Sequence, residues 1–205
     1  MSTILAISGS PSGTSRTAKV LNLVTRRLAA DGHRAHLLSV RDLPPQALLG
    51  ADPDHPAIAA VARCLAAADG VVIATPVYKA AYSGALKALL DLLPQHALAG
   101  KVVLPLATGG TLAHVLAIDY ALRPVLTAMG ADHVVNGYFL HDRLLTDTGD
   151  GGVRIDESVR VAFDQAVDGF RRALRHRARS VRPERLPAPA NGAVQRAAVG
   201  GVVEA

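Results

Sequence analysis

The chain has 205 residues, half of them hydrophobic, with 3% aromatics and no tryptophan, a length and composition that suit one α/β domain with an Ala-, Leu- and Val-built core and leave little for a second. A single cysteine, Cys64, excludes an internal disulfide and fits a reducing compartment. The net charge is +5, but eight Arg against two Glu from residue 171 onward leave residues 1–170 at −1, so the folded body lacks the basic face a nucleic-acid binder needs.

The opening run Met1-Ser2-Thr3-Ile4-Leu5-Ala6 has no basic leader region, and no apolar run reaches bilayer length. The expectation is a cytoplasmic protein that engages neither membrane nor nucleic acid. Thr3 to Ser8 is short and apolar, a buried strand. Ser15 to Asp31 has helical spacing through Val20, Leu21, Leu23, Val24 and Leu28 and stops at Asp31-Gly32. Ala35 to Val40 is a second strand, followed by a loop marked by Pro44, Pro45, Gly50 and Pro53. Pro56 to Ala68 predicts a helix with proline in its first turn, and Cys64 is expected in its packed face. Gly70 to Thr75 is the most β-branched run and predicts a central strand. Ser83 to Leu93 is a helix, Lys101 to Ala107 a fourth strand, Ala117 to Met129 a helix, and His133 to Phe139 a fifth strand. The last helix runs from Asp156 to about Arg177, with Asp156-Glu157 at its positive end. From Ser180 the chain is rich in Pro, Ala, Arg and Gly without periodicity. This predicts one domain over 1–178 and a disordered tail over 179–205.

Strands alternating with helices imply a parallel sheet with right-handed crossovers. Five strands fit the order 2-1-3-4-5, a flavodoxin-like three-layer sandwich. Its ligand crevice lies between the loops that follow strands one and three. Those loops are Gly9–Thr17 and Pro76–Ser83.

The first loop, Ser8-Gly9-Ser10-Pro11-Ser12-Gly13-Thr14-Ser15-Arg16-Thr17, leaves a strand and enters a helix. A phosphate is held by clustered hydroxyls, backbone N–H groups and the positive end of a helix dipole, and this segment has all three. Arg16 adds a charge that can pair with a phosphate. Pro11 stands where G-x-G-x-x-G needs its second glycine, and no Gly-Lys-Ser/Thr is present. A single phosphate such as that of FMN therefore fits better than a dinucleotide. An ordinary Ser-rich turn with an N-cap remains the alternative. After the third strand, Thr75-Pro76-Val77-Tyr78 leads through small residues into a helix and can form a flat wall for a planar ring. After the fourth, Thr108-Gly109-Gly110 lets backbone N–H groups approach a ligand. Taken singly, Tyr78 is equally a packing residue and the glycine pair a plain turn. Gly9-Ser10-Pro11 is not the G-x-S-x-G elbow of a hydrolase, and no Cys/His cluster with metal-ligand spacing is present. His33 and His36 read as surface residues, and His114 as the one histidine near the site.

Gly9-Ser10-Pro11 with Ser15-Arg16, then Ala74-Thr75-Pro76-Val77-Tyr78-Lys79-Ala80-Ala81-Tyr82-Ser83-Gly84-Ala85-Leu86-Lys87, then Pro105-Leu106-Ala107-Thr108-Gly109-Gly110, resemble the NAD(P)H-dependent FMN reductases. Leu98-Ala99-Gly100-Lys101-Val102-Val103-Leu104-Pro105-Leu106 and Ala117-Ile118-Asp119-Tyr120-Ala121-Leu122-Arg123-Pro124 narrow the resemblance to the reductase partner of two-component alkanesulfonate monooxygenases. It spans about residues 3–178, while Leu140 to Ile155 and the tail depart from the pattern. It implies FMN as flavin, NADPH as donor with NADH as the alternative, and delivery of reduced flavin to an FMNH2-dependent monooxygenase. The candidate cofactor-binding set is Ser8, Ser10, Ser15, Arg16, Thr17, Pro76, Val77, Tyr78, Lys79, Ser83, Gly84, Thr108, Gly109 and Gly110. The resemblance further implies a homotetramer, with Tyr120 in a π-type bulge at the interface near the flavin and associated with flavin release. Two rivals stay open: a quinone or azo reductase with fixed FMN, and an electron-carrier flavodoxin. The near-neutral, tryptophan-free body weighs against the carrier.

Overall fold

The computed structural model describes residues 1–180. From 181 onward the expected tail lies outside the described residues. Nine strands and six α-helices are described: β1 Thr3–Ser8, α1 Arg16–Ala30, β2 Arg34–Ser39, α2 Pro45–Leu49, α3 Pro56–Ala66, β3 Gly70–Tyr78, β4 Ala81–Tyr82, α4 Gly84–Asp91, β5 Val102–Gly109, α5 Arg123–Ala128, β6 His133–Val134, β7 Tyr138–His141, β8 Leu145–Asp147, β9 Val153–Ile155 and α6 Glu157–Ser180.

The main sheet runs β2-β1-β3-β5, with β6 and β7 both parallel to the far edge of β5. Counted by its main strands, this is the expected 2-1-3-4-5 order. The alternation of side chains along the buried strands builds two cores. Ile4, Ala6, Val72, Ala74, Leu104 and Leu106 face α1 and α6, where Phe163, Val167, Phe170 and Leu174 supply the inner stripe of the last helix. Leu5, Ile7, Val71, Ile73 and Val103 face α3, α4 and α5.

The expected fifth strand is split in two. Val102 and Val103 pair with His133 and Val134, whereas Leu106 pairs with Tyr138, so one extra residue is taken up between. The break lies opposite Pro105, which has no N–H to give a neighbouring strand. The expected helix from Ala117 is also altered. Ile118–Leu122 forms a π turn in which the Arg123 N–H reaches the Ile118 carbonyl, and α5 continues from there. Pro124 has no N–H to offer the Tyr120 carbonyl four residues back, so regular α pairing cannot pass through this point. A short helix, α2, starts on Pro45 where only a loop was expected. The β8–β9 hairpin was not foreseen at all. Cys64 is exposed, contrary to expectation, because Ile58, Val61 and Leu65 define the inner face of α3. His36 is exposed as expected, but His33 is half-buried, and its pKa is lowered by that burial.

At the edge of the sheet away from the loops, Asp69 accepts from the Thr3 N–H at 2.9 Å and pairs with Arg177 of α6. Burial works to raise the Asp69 pKa, but the Thr3 N–H and the Arg177 guanidinium outweigh it and hold the carboxyl below its ordinary value. Beside it, Lys101 donates to the carbonyls of Ala68 (2.9 Å) and Ala66 (3.3 Å), with its pKa lowered by burial. No helix among the described residues is long and apolar enough to cross a membrane.

Candidate active site

The loop after β1 is shaped by its own hydroxyls. The Gly9 N–H donates to the Ala74 carbonyl of β3 at 2.7 Å. A Cβ on Gly9 would stand 2.8 Å from Cβ of Leu86, so this crossing over α4 requires glycine. Ser10 Oγ accepts from the Ser12 N–H at 3.2 Å, and Ser12 Oγ from the Thr14 N–H at 3.3 Å, two side-chain turns that curl the backbone toward α1. Ser15 caps α1, its Oγ accepting from the Ala18 N–H at 3.1 Å. The N–H groups of Arg16 and Thr17 then belong to the first turn, where an α-helix has no internal acceptor for them. Thr17 Oγ1 lies 2.6 Å from Thr108 Oγ1 and ties this loop to the end of β5.

The second loop is a tight hairpin. Tyr78 pairs with Ala81 across Lys79 and Ala80, whose φ angles are +50° and +64°. Positive φ at both central residues is the geometry of a type I′ turn, which usually selects Asn and Gly. Ser83 is buried behind it. Its hydroxyl donates to the Gly9 carbonyl and accepts from the Leu86 N–H at 3.1 Å, while its own N–H donates to Thr75 Oγ1 at 3.0 Å. Ser83 therefore clips the first two loops together. At the third loop the two glycines differ. A Cβ on Gly109 would stand 3.0 Å from the Phe139 ring, whereas Gly110 has only Asp142 Oδ2 near it, at 3.9 Å. Gly109 is a packing requirement, and Gly110 leaves an open edge.

These loops enclose a cleft of about 600 Å³. Of the expected residues, Ser10, Ser15, Arg16, Thr17, Pro76, Val77, Tyr78, Thr108, Gly109 and Gly110 line it, with Ser12 and Thr14 beside them. Ser8, Lys79, Ser83 and Gly84 do not line it. Ser8 is buried at the strand end, Lys79 sits exposed on the hairpin tip, and Gly84 is the first residue of α4. Three lining residues were not anticipated: Asp142, Leu145 and Asp147. The carboxylate of Asp142 lies 3.7 Å from the Arg16 guanidinium, and Asp147 pairs with Lys19 one turn further along α1. The Lys19 hydrogen bond, followed by the Gly149 N–H, lowers the Asp147 pKa.

Tyr120 lies outside the cleft and is 78% exposed. Leu112, Val115 and Leu116 are exposed nearby and line a groove of about 360 Å³ with Tyr138 and Phe139. His114 lines neither cavity.

An open parallel sheet with a hydroxyl-rich loop and a helix N-terminus at its switch point defines a nucleotide-binding α/β protein of the flavodoxin-like kind. Residues 2–144 match the sequence model of NADPH-dependent FMN reductases, and the chain belongs to that oxidoreductase family, whose reactants are FMN and a nicotinamide coenzyme. The FMN reductase (NADPH) of Escherichia coli K12 is 43% identical over 174 residues, which cover 85% of this chain and 91% of that one. The FMN reductase (NADPH) of Pseudomonas putida KT2440 is 41% identical over 181 residues, covering 88% and 92%. The apo form of an NADH:FMN oxidoreductase (EMOB) superposes with a TM-score of 0.76 at 43% identity, covering 84% of this chain and 90% of that one.

Proposed function

We propose that this chain reduces FMN with NADPH, or with NADH, in the cleft between its first three loops, and releases the reduced flavin to a separate monooxygenase. The observation that carries this reading is the cleft itself. A hydroxyl-lined helix N-terminus faces a wall of Pro76, Val77 and Tyr78, with an open glycine edge at Gly110. These residues fit a flavin mononucleotide: one phosphate, one flat ring and no second nucleotide fingerprint.

Bound FMN supplies the redox chemistry by accepting a hydride from the nicotinamide. Ser10, Ser12, Ser15 and Thr17 offer hydroxyls to the phosphate, and Arg16 offers charge. The Thr17–Thr108 contact and the Ser83 clip hold the loops at a fixed separation, which is the positioning a transfer between two stacked rings requires. The exposed ring of Tyr78 guards the mouth. Ser8, Lys79, Ser83 and Gly84 act from behind or beside the cleft in this reading.

The proposed partner is an alkanesulfonate-type monooxygenase, on the strength of the sequence resemblance. The proposed assembly is a cytoplasmic homotetramer. Supporting it, Leu112, Val115, Leu116 and Tyr120 form an exposed apolar face that needs a cover, and the π turn underlies it. Steady-state NADPH oxidation with free FMN as the varied component tests the function. Saturable dependence on FMN supports it. Rapid oxidation with quinone and no need for free FMN would instead mark a fixed-flavin reductase, and no nicotinamide turnover would mark a carrier. Sedimentation of the purified protein tests the tetramer.

A further inference from the structure

The charge on the cleft is unusual for a seat that must hold a phosphate. Its lining has one cation, Arg16, and two carboxylates, Asp142 and Asp147. Asp142 directly follows β7, inside the family match over residues 2–144, and Asp147 is the last residue of β8. The parallel register of β5 and β7 sets Gly109 against His141, which delivers Asp142 to the floor beside Gly110. Its Oδ2 lies 3.7 Å from Arg16 Nη1, an ion pair rather than a close hydrogen bond. The Asp142 side chain is 33% exposed and that of Arg16 59%, so neither is locked. One helical turn on, Lys19 holds Asp147, which anchors the segment whether or not Asp142 keeps its partner.

We propose that Asp142 is a built-in competitor for the flavin phosphate. It occupies Arg16 when the phosphate is away, and it repels the phosphate when the two share the loop. This rests on the phosphate seat proposed above. The consequence is a flavin held loosely enough to exchange, obtained by a specificity-determining carboxylate rather than by loss of hydroxyl contacts. A phosphate entering the loop takes over the guanidinium, because a dianion makes stronger charge-assisted bonds than a carboxylate at 3.7 Å.

The test is titration calorimetry of the full-length, flavin-free protein with FMN and with riboflavin, which lacks the phosphate. The variants are Asp142→Asn, Asp142→Ala and Arg16→Ala, each checked for an unchanged fold by its thermal melt. Removing one negative charge a few ångströms from a phosphate at a partly exposed site should tighten FMN by about threefold to tenfold. The gain should fade at high salt, and riboflavin should bind as before. Arg16→Ala should weaken FMN selectively. If Arg16→Ala weakens FMN but neither Asp142 variant tightens it, the competition is refuted while the phosphate seat stands. If Arg16→Ala leaves the FMN-to-riboflavin ratio unchanged, the seat is elsewhere and both ideas fall. Equal tightening of riboflavin by the Asp142 variants would also overturn the proposal, because the effect would not act on the phosphate.

Discussion

Ser83 separates a scaffold role from a ligand role in one experiment. The residue is 1% exposed, and its side chain caps α4 through the Leu86 N–H and donates to the Gly9 carbonyl. Ser83→Ala removes both bonds. Losing the cap costs about 1 kcal/mol. Leaving a buried carbonyl without its donor costs about 1–3 kcal/mol more. The sum is about 2–4 kcal/mol, which in a domain of this size lowers Tm by roughly 5–15 °C. Ser83→Gly loses the same tether, but glycine is itself an acceptable cap, so it should cost about 1 kcal/mol less than alanine. Thermal and urea melts of the flavin-free protein measure all three forms. FMN and riboflavin should weaken together, since the clip sets the loop spacing rather than touching the phosphate. A flavin-free protein whose Tm is unmoved by Ser83→Ala, with FMN affinity lost, would refute this reasoning and return Ser83 to the flavin-contact set.

Three further outcomes are expected. Asp69 has a depressed pKa in the folded state, so its contribution to stability is present above the ordinary aspartate value and is lost as pH falls through the lower folded value. Asp69→Asn should therefore lower the urea midpoint near neutrality and flatten its decline below about pH 4; parallel wild-type and variant curves would show that Asp69 plays no part. Ala80 holds φ +64° in the hairpin beside Tyr78, and Ala80→Gly should raise stability by about 0.5–1 kcal/mol, the relief of left-handed strain less glycine's added freedom when unfolded. An unchanged or lower urea midpoint would mean that the turn carries no strain. Tyr120→Ala, at the exposed π turn, should copurify with FMN and lose reductase turnover with free FMN. A colourless, tetrameric, fully active variant would make Tyr120 a packing residue only.

The parts of the site readable in the sequence are those where one local segment carries the whole signal. The first loop packs hydroxyls, Gly9 and a helix start into ten residues, and the structure keeps them together around Ser10, Ser15 and Thr17. The fold was legible for the same reason, since alternating strand and helix periods leave few topologies. Ser83 caps α4 and does not line the cleft, and a hydroxyl before a helix reads alike whether it caps the helix or holds a ligand. Lys79 and Gly84 stand in the segment that carries the family resemblance, but the hairpin turns the first outward and the second starts α4. Asp142 was invisible because it reaches the cleft only through the pairing of β7 with β5, and Asp147 because it comes there on the β8–β9 hairpin and meets Lys19 of α1, long-range facts that no local pattern encodes. The β8–β9 hairpin did carry a turn signal in Asp147-Thr148-Gly149-Asp150-Gly151-Gly152, but its three-residue strands are too short for alternation to show. The π turn was expected only from family resemblance, yet Pro124, which accounts for it physically, is plain in the sequence.

The central claim is that FMN is reduced in this cleft and leaves it. Anaerobic mixing of the protein with FMN in large molar excess over protein, and with NADPH in excess over the FMN, followed by absorbance at the flavin band and then by ultrafiltration, tests this most directly. The account predicts that the whole flavin pool is reduced over many turnovers and passes the filter in the reduced form. Reduction that stops at one flavin per protein chain, with that flavin retained above the filter, would contradict it.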